Sequence, residues 1–292
     1  MKRGRAIAWV GLLAVIAAVA ACLALRPREP VYQGKRLSEW LHELDKDTFT
    51  KESRARATEA VRRIGTNGIP FLERMLRSDP WLRRTLIELS GKQSVIHLHL
   101  TTAEERRRLA LEGIKALGAL ARPLIPKLIE MLKDDDPWQA MSIAFVGLAQ
   151  IGPDAVLPLT QVLTNASPKV RSAAVISLAM LSSNAQAAVP ALVERLESDK
   201  DNRVRAAAAR ALGHIGTGRE VAVPALIKHL SDAVPIVRIQ AAQALGKFGK
   251  QAQDAVPTLV KTMNDEILTV RDSAAAALKE IDPHAAANAG VE

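Results

Sequence analysis

The sequence predicts an all-α solenoid of stacked helical hairpins, and three observations predict it. A Val-Arg pair recurs at Val170-Arg171, Val204-Arg205, Val237-Arg238 and Val270-Arg271, in steps of 34, 33 and 33 residues. A proline follows the first three of these valines at a constant distance, as Val189-Pro190, Val223-Pro224 and Val256-Pro257. The chain is 48% hydrophobic, chiefly Ala, Leu, Val and Ile, with only four Phe, four Trp and one Tyr. A fixed period of this length marks repeated supersecondary units, and Ala and Leu favour helix. The scarcity of aromatics argues against an all-β sandwich and against a single-strand nucleic-acid binder, which needs ring faces for stacking.

From the N-terminus, Lys2, Arg3 and Arg5 precede Ala6–Leu25, a stretch without a charge. As a helix it would span about 30 Å, the thickness of a bilayer core. Residues 1–29 are therefore expected to form a transmembrane signal-anchor with basic flanks, ended by Arg26-Pro27-Arg28. Two alternatives stay open. One is a cleaved signal peptide. The other is lipidation at Cys22, because Val19-Ala20-Ala21-Cys22 resembles a bacterial lipobox, although Leu23-Ala24-Leu25 continues the apolar run. Lys and Arg are nearly balanced across the segment. A short N-terminal tail ordinarily stays inside, which places the body outside the cytoplasm. Cys22 is the single cysteine, so no intrachain disulfide forms.

Residues 30–52 read as a lead-in segment and helix, and residues 53–282 as the repeats. Counting each Val of Val-Arg as zero, positions 4, 7, 8 and 11 are small or apolar: Ala208, Ala211, Leu212 and Ile215 in one copy, Ala241, Ala244, Leu245 and Phe248 in the next. Such residues share one face of a helix. Gly216 and Gly249 follow and can stop the helix in the left-handed conformation. Gly65 and Gly152 do the same upstream. The prolines open the second helix of each pair, where a missing N–H costs nothing. Leu157-Pro158, Ile125-Pro126 and Ile69-Pro70 are looser upstream copies. No single hairpin can bury both its helices, but stacked hairpins can.

Six residues before each repeated Arg stands Asn165, Asp199, Asp232 or Asp265. A carboxylate or amide there can cap a helix start, and the Arg can reach that turn or the neighbouring repeat. The pattern predicts a structural ladder; as exposed pairs its rungs would each contribute only ~0–1 kcal/mol.

The pattern Asp-x5-Val-Arg-x2-Ala-x2-Ala-Leu-x2-Ile-Gly, then Val-Pro-x-Leu, resembles HEAT repeats, most closely the short bacterial type first associated with phycobilisome bilin lyases. The resemblance spans Leu109–Asp282 and, less closely, Ser53–Leu76. Pro30–Leu44 resembles the lead-in helix of membrane-anchored bacterial HEAT proteins. The resemblance implies a right-handed superhelix whose second helices line a concave surface that binds other macromolecules. The pattern lapses near residues 90–102, where Gln93–Leu100 alternates like an extended insert. Residues 283–292 are Ala-rich and are expected to fray.

Candidate chemistry is sparse. His97 and His99 could both ligate a metal, but no carboxylate or thiol in the insert completes a site. His42-Glu43 resembles one His-Glu pair of HEAT-type iron hydroxylases, which need several. Asp134-Asp135-Asp136 reads as an inter-helix turn, and Arg106-Arg107-Arg108 as a solvated helix face. No Walker loop, Gly-rich dinucleotide turn or Ser/His/Asp arrangement is present. No catalytic residue, cofactor or metal is expected.

The net charge of +9 is uneven: +6 over residues 1–36, +5 over 37–127 and −2 over 128–292. That distribution, with the anchor, speaks against nucleic acid as partner. The expected function is a non-catalytic scaffold, held at a membrane by residues 6–25, that binds protein partners through Arg74, Arg195, Lys228, His229 and Lys261 on its second helices. The alternatives are an accessory to a lyase or other enzyme, and a nucleic-acid binder.

Overall fold

In this computed structural model the described residues are 29–45, 50–77, 101–133 and 138–291. They form helices throughout, apart from one small β-hairpin. The expected anchor at residues 6–25, Cys22, most of the insert near 90–102 and Asp134–Asp136 lie outside them. Among the described residues no helix is long and apolar enough to cross a membrane.

The lead-in begins with strands β1 (Val31–Tyr32) and β2 (Lys35–Arg36), paired antiparallel with Val31 opposite Arg36. The connecting Gln33 and Gly34 both have positive φ, as a type I′ turn requires. Helix α1 (Leu37–Asp45) follows directly. Glu29 accepts a hydrogen bond from the Ser38 N–H near its start. The Trp40 indole donates to the Tyr32 carbonyl at 3.2 Å, and the Lys35 ammonium sits 4.5 Å from the Trp40 ring centroid. Leu37, Trp40 and Leu41 are buried against the first repeat, so α1 covers that end of the core.

Hairpins then follow in series. The first helices of each pair are α2 (Lys51–Ile64), α4 (Ala103–Leu117), α6 (Trp138–Ile151), α8 (Pro168–Met180), α10 (Asn202–Ile215), α12 (Pro235–Phe248) and α14 (Leu268–Ile281). The second helices are α3 (Ile69–Leu76), α5 (Ile125–Lys133), α7 (Val156–Val162), α9 (Val189–Ser198), α11 (Arg219–Lys228) and α13 (Val256–Thr262), with α15 (Pro283–Asn288) after the last first helix. Each first helix packs on the next, from α2 through α14. The valine of each Val-Arg pair and the small residues at positions 4 and 7 point inward: Val204, Ala208, Ala211 and Leu212 are all fully buried. One continuous hydrophobic cluster runs from Leu37 to Ala286. Small side chains set the helix spacing. A Cβ placed on Gly213 of α10 would lie 2.6 Å from the Ala244 Cα of α12, and one on Gly246 would lie 3.1 Å from the Ala277 Cα of α14. At the matching place in α14 the chain has Lys279, which is exposed.

The helix starts and stops largely follow the local signals. Thr50, Thr102 and Asp201 cap α2, α4 and α10 by accepting a backbone N–H. Gly216 ends α10 in the left-handed region. In α8 the equivalent residue is Ser182, which takes a positive φ of 51° without being glycine. The link between helices is usually a 3-10 segment, such as Gly249–Ala255.

Three expectations need correction. Pro224 does not open its helix: α11 starts at Arg219, after a turn with left-handed Gly216 and Gly218, and Pro224 lies inside it. The tail expected to fray instead carries a helix. Asp282 caps α15 by accepting the Ala285 N–H at 2.9 Å, Pro283 opens it, and Ala286 is buried. Arg106–Arg108 is not uniformly solvated either, because Arg107 is buried and its Nε donates to the Leu76 carbonyl at 3.1 Å.

Candidate protein-binding surface

The turns between hairpins carry the most ordered polar chemistry of the molecule. Arg171, in the first turn of α8, donates from Nε and Nη2 to the two carboxylate oxygens of Asp199, both at 2.7 Å. Its Nη1 donates backward to the carbonyls of Asn165 and Ala166. Arg205 repeats this on Asp232 at 3.1 Å and 3.1 Å, with Nη1 on the Asp199 carbonyl. Arg238 repeats it on Asp265: Nη2 donates to Oδ1 at 2.8 Å, and Nε lies 2.8 Å from Oδ2, close enough for an ion pair but off the hydrogen-bond direction. Each guanidinium thus ties its own turn to the turn of the next hairpin, and a fork–fork pair of this kind fixes geometry as well as charge.

Each acceptor also holds its own turn. Asp199, Asp232 and Asp265 each accept the N–H two residues on, at 2.9–3.0 Å. Asn165 does the same for Ser167. The rungs are not the exposed pairs that the sequence suggested. The Asp199 side chain is 1% exposed and that of Asp232 9%. Burial is the largest single influence and pulls the Asp199 and Asp232 carboxyls up, but the hydrogen bonds from Arg171 and Arg205, those from the Asp201 and Val234 N–H groups and the nearby positive charges together outweigh it and hold both below the ordinary range. Arg238 holds Asp265 down in the same way. With each carboxylate held both by an arginine and by its own turn, the ladder is structural.

The five residues expected to meet a partner separate clearly. Lys228 of α11 and Lys261 of α13 are exposed; Lys228 is 69% exposed, with its Nζ 3.5 Å from Glu197. Arg74 of α3 lies along its own helix, donating to the Pro70 carbonyl and standing 5.5 Å from the Phe71 ring centroid. Arg195 of α9 is largely covered, paired with Glu194 and 3.8 Å from Asp199, so it belongs partly to the ladder. His229 is buried, its Nδ1 2.9 Å from the Ala225 carbonyl, and the expectation that it is an exposed contact is wrong. It follows the apolar Leu226 and Ile227, and the helix turns into a 3-10 segment there, which swings the ring inward.

Lys228 and Lys261 stand at one position of consecutive second helices, four residues after Pro224 and Pro257, where α9 has Glu194; Arg195 is one residue further on, at the place of the buried His229 and Thr262. Arg195 lines an open groove of about 630 Å³ with Arg171 and Asp199, and Lys261 lines one of about 550 Å³ with Arg238 and Asp265. Lys247 of α12 lies 2.8 Å from His214 Nε2 of α10 on the first-helix side. Sequence reasoning passed over that pair, because its members are 33 residues apart and neither belongs to the repeated marker. His42 and Glu43 form no metal site: Glu43 pairs with Lys35. Among the described residues no group of three His, Cys, Asp or Glu side chains is placed to hold a metal ion.

These features define an all-α solenoid of helical repeats, closed at its first end by a hairpin and helix and tied together by a buried Arg–Asp ladder. Residues 156–246 and 223–289 match the family model of HEAT repeats, the stretch in which the Val-Arg and Val-Pro markers are regular. No curated protein matches the sequence. Among solved structures, the chain is similar to the CpcE–CpcF complex of phycocyanin lyase from Nostoc sp. PCC7120, at 24% identity and a TM-score of 0.48, over 53% of this chain and 98% of that one. It is also similar to the karyopherin Kap121p bound to the extreme C-terminus of the protein phosphatase Cdc14p, at 16% identity and a TM-score of 0.49, over 84% of this chain and 29% of that one. A third likeness is to computationally designed armadillo repeat proteins for modular peptide recognition, at 18% identity and a TM-score of 0.41, over 85% of this chain and all of that one.

Proposed function

We propose that this chain is a non-catalytic scaffold that binds protein partners along its second-helix edge. The observation that carries the reading is the placement of Lys228 and Lys261. They occupy the same position on neighbouring hairpins, exposed, while the apolar residues around them, Leu226 and Leu259, are fully buried. The same register places a cation on two neighbouring hairpins, which suits a partner segment bearing carboxylates. The uncharged run Ala6–Leu25 would tether the scaffold to a membrane with the repeats outside the cytoplasm.

Photo-crosslinkers placed at Lys228 and Lys261, and at Arg210 on the opposite helix layer, test the binding reading in intact cells. The expected result is a discrete crosslinked protein from the first two sites and none from the third. Identical patterns from all three would remove it. Protease accessibility of the repeats in whole cells and spheroplasts tests the tether and its orientation.

A further inference from the structure

Among the described residues the last guanidinium of the ladder has no acceptor on its forward face. Arg271, in the first turn of α14, is the fourth Val-Arg arginine. Its Nη1 donates to the carbonyls of Asp265 at 2.8 Å and Glu266 at 3.3 Å. Arg171 is held by the same pair of carbonyls in its own turn. In Arg171, Arg205 and Arg238 the remaining edge of the guanidinium grips an aspartate of the following hairpin. Among the described residues no carboxylate pairs with Arg271 in that way. The side chain is therefore held ready in the conformation that its three counterparts use to bind a carboxylate, and orienting it further costs little rotamer entropy.

The surroundings say what kind of segment fits. Ile267 and Leu268, in the same turn, are 36% and 59% exposed. The residues at these places one hairpin earlier, Val234 and Pro235, are more covered, and Val234 packs against the core. A cation next to two exposed apolar side chains suits an acid followed closely by an apolar residue. Two of the three rung acceptors have that form: Asp232-Ala233-Val234 and Asp265-Glu266-Ile267 both close a turn in which the carboxylate accepts the N–H two residues on, whereas Asp199 is followed by Lys200-Asp201. At the place of the glycine that brings the next helix close in α10 and α12, α14 carries Lys279, so that glycine-width contact is not available on this face.

We infer that Arg271, Ile267 and Leu268 form a docking point for an aspartate-bearing turn of a partner protein, of the Asp-x-apolar kind that the ladder binds internally. The inference rests on the scaffold reading and gives one of its contacts a chemistry. The probe is a fluorescent blocked peptide, Ser-Asp-Ala-Val-Pro-Ile, which carries the turn that Arg205 grips, titrated against the full chain by anisotropy. The expected result is saturable binding at least tenfold tighter than that of the same peptide with Asn in place of Asp. Arg271→Gln should abolish that preference, and Leu268→Ser should weaken both peptides. Equal affinity for the two peptides, no saturable binding, or an undiminished preference in Arg271→Gln would overturn the inference. The comparison of peptides on the unaltered chain decides the matter even if a variant folds poorly. Crosslinking at Lys228 and Lys261 should be unchanged by Arg271→Gln, so the two readings fail separately.

Discussion

Gly213 of α10 meets Ala244 of α12 so closely that a Cβ on the glycine would stand 2.6 Å from the Ala244 Cα. Backbone of a packed helix cannot yield as a flexible side-chain tip does. Gly213→Ala should therefore destabilise despite alanine's better helix propensity. Overpacking of ~1–3 kcal/mol, at the upper end against rigid backbone, works against a propensity gain of ~1 kcal/mol, which leaves a net loss of up to ~2 kcal/mol. At Gly246 the same Cβ would lie 3.1 Å from the Ala277 Cα, so a slight shift accommodates it. Gly246→Ala should fall within ~0.5 kcal/mol of the parent, the two opposing terms nearly cancelling. Urea midpoints of the two variants check this ordering.

Ala208 is fully buried between neighbouring first helices. Ala208→Phe should lower stability by at least ~1–3 kcal/mol through overpacking. An unchanged melting temperature would place the buried face of α10 elsewhere.

Removing Arg205 leaves the Asp232 carboxylate covered and uncompensated. Arg205→Met should approach the ~3–5 kcal/mol cost of breaking a buried pair. Adding Asp232→Asn should recover much of that loss, because a neutral amide can still accept the Val234 N–H. The chain already contains this arrangement: Asn165 accepts the Ser167 N–H, and the preceding first helix has Met141 where the others have arginine. A double-mutant cycle measures the coupling directly.

Stability should fall in two steps on acidification. Burial, with Lys247 and Arg210 nearby, holds the His214 imidazole below its ordinary range. Its folded form resists a proton that the unfolded chain accepts, so stability is lost as pH drops below ~6.5. His214→Gln should flatten the melting temperature between pH 7 and 5. The second step belongs to the ladder carboxyls and to Asp201, which its hydrogen bond from Arg203 takes down to about 2. A depressed carboxyl stabilises the fold above the unfolded value near ~3.9 and loses that contribution as pH falls through the folded one. The steepest loss should therefore come below pH 4, and Asp199→Asn, which cannot titrate, should reduce it.

The repeat was legible because its marker residues perform one packing task in every unit. Val204, Ala208 and Leu212 must be apolar and helically spaced wherever a hairpin stacks, so the period shows in the sequence. Departures were harder to read where a different residue met the same need. Ser182 stops α8 with the backbone that glycine supplies elsewhere. The strands at Val31–Tyr32 and Lys35–Arg36 are too short to show alternation, although Gln33-Gly34 could have signalled their turn. Burial of polar groups was the least visible property. Arg107 and His229 look like surface residues until the Leu76 and Ala225 carbonyls are seen beside them. The depth of the Arg–Asp rungs likewise depends on the neighbouring hairpin, which sequence spacing names but does not place. For the candidate surface, the shared register of Lys228 and Lys261 was readable, and so was the cause of Arg195's coverage, since it stands five residues after its proline, where His229 and Thr262 are buried.

The exposed Lys279 stands where α10 and α12 carry glycine. Columns of repeated units are prone to lengthen by adding copies head to tail, and open-ended contacts of that sort produce filaments. A second molecule prolonging this column by the close approach that Gly213 and Gly246 allow would have to press a hydrated ammonium against backbone. That particular approach is therefore disfavoured at α14, although α4 carries Lys115 at the same place and still packs on α6.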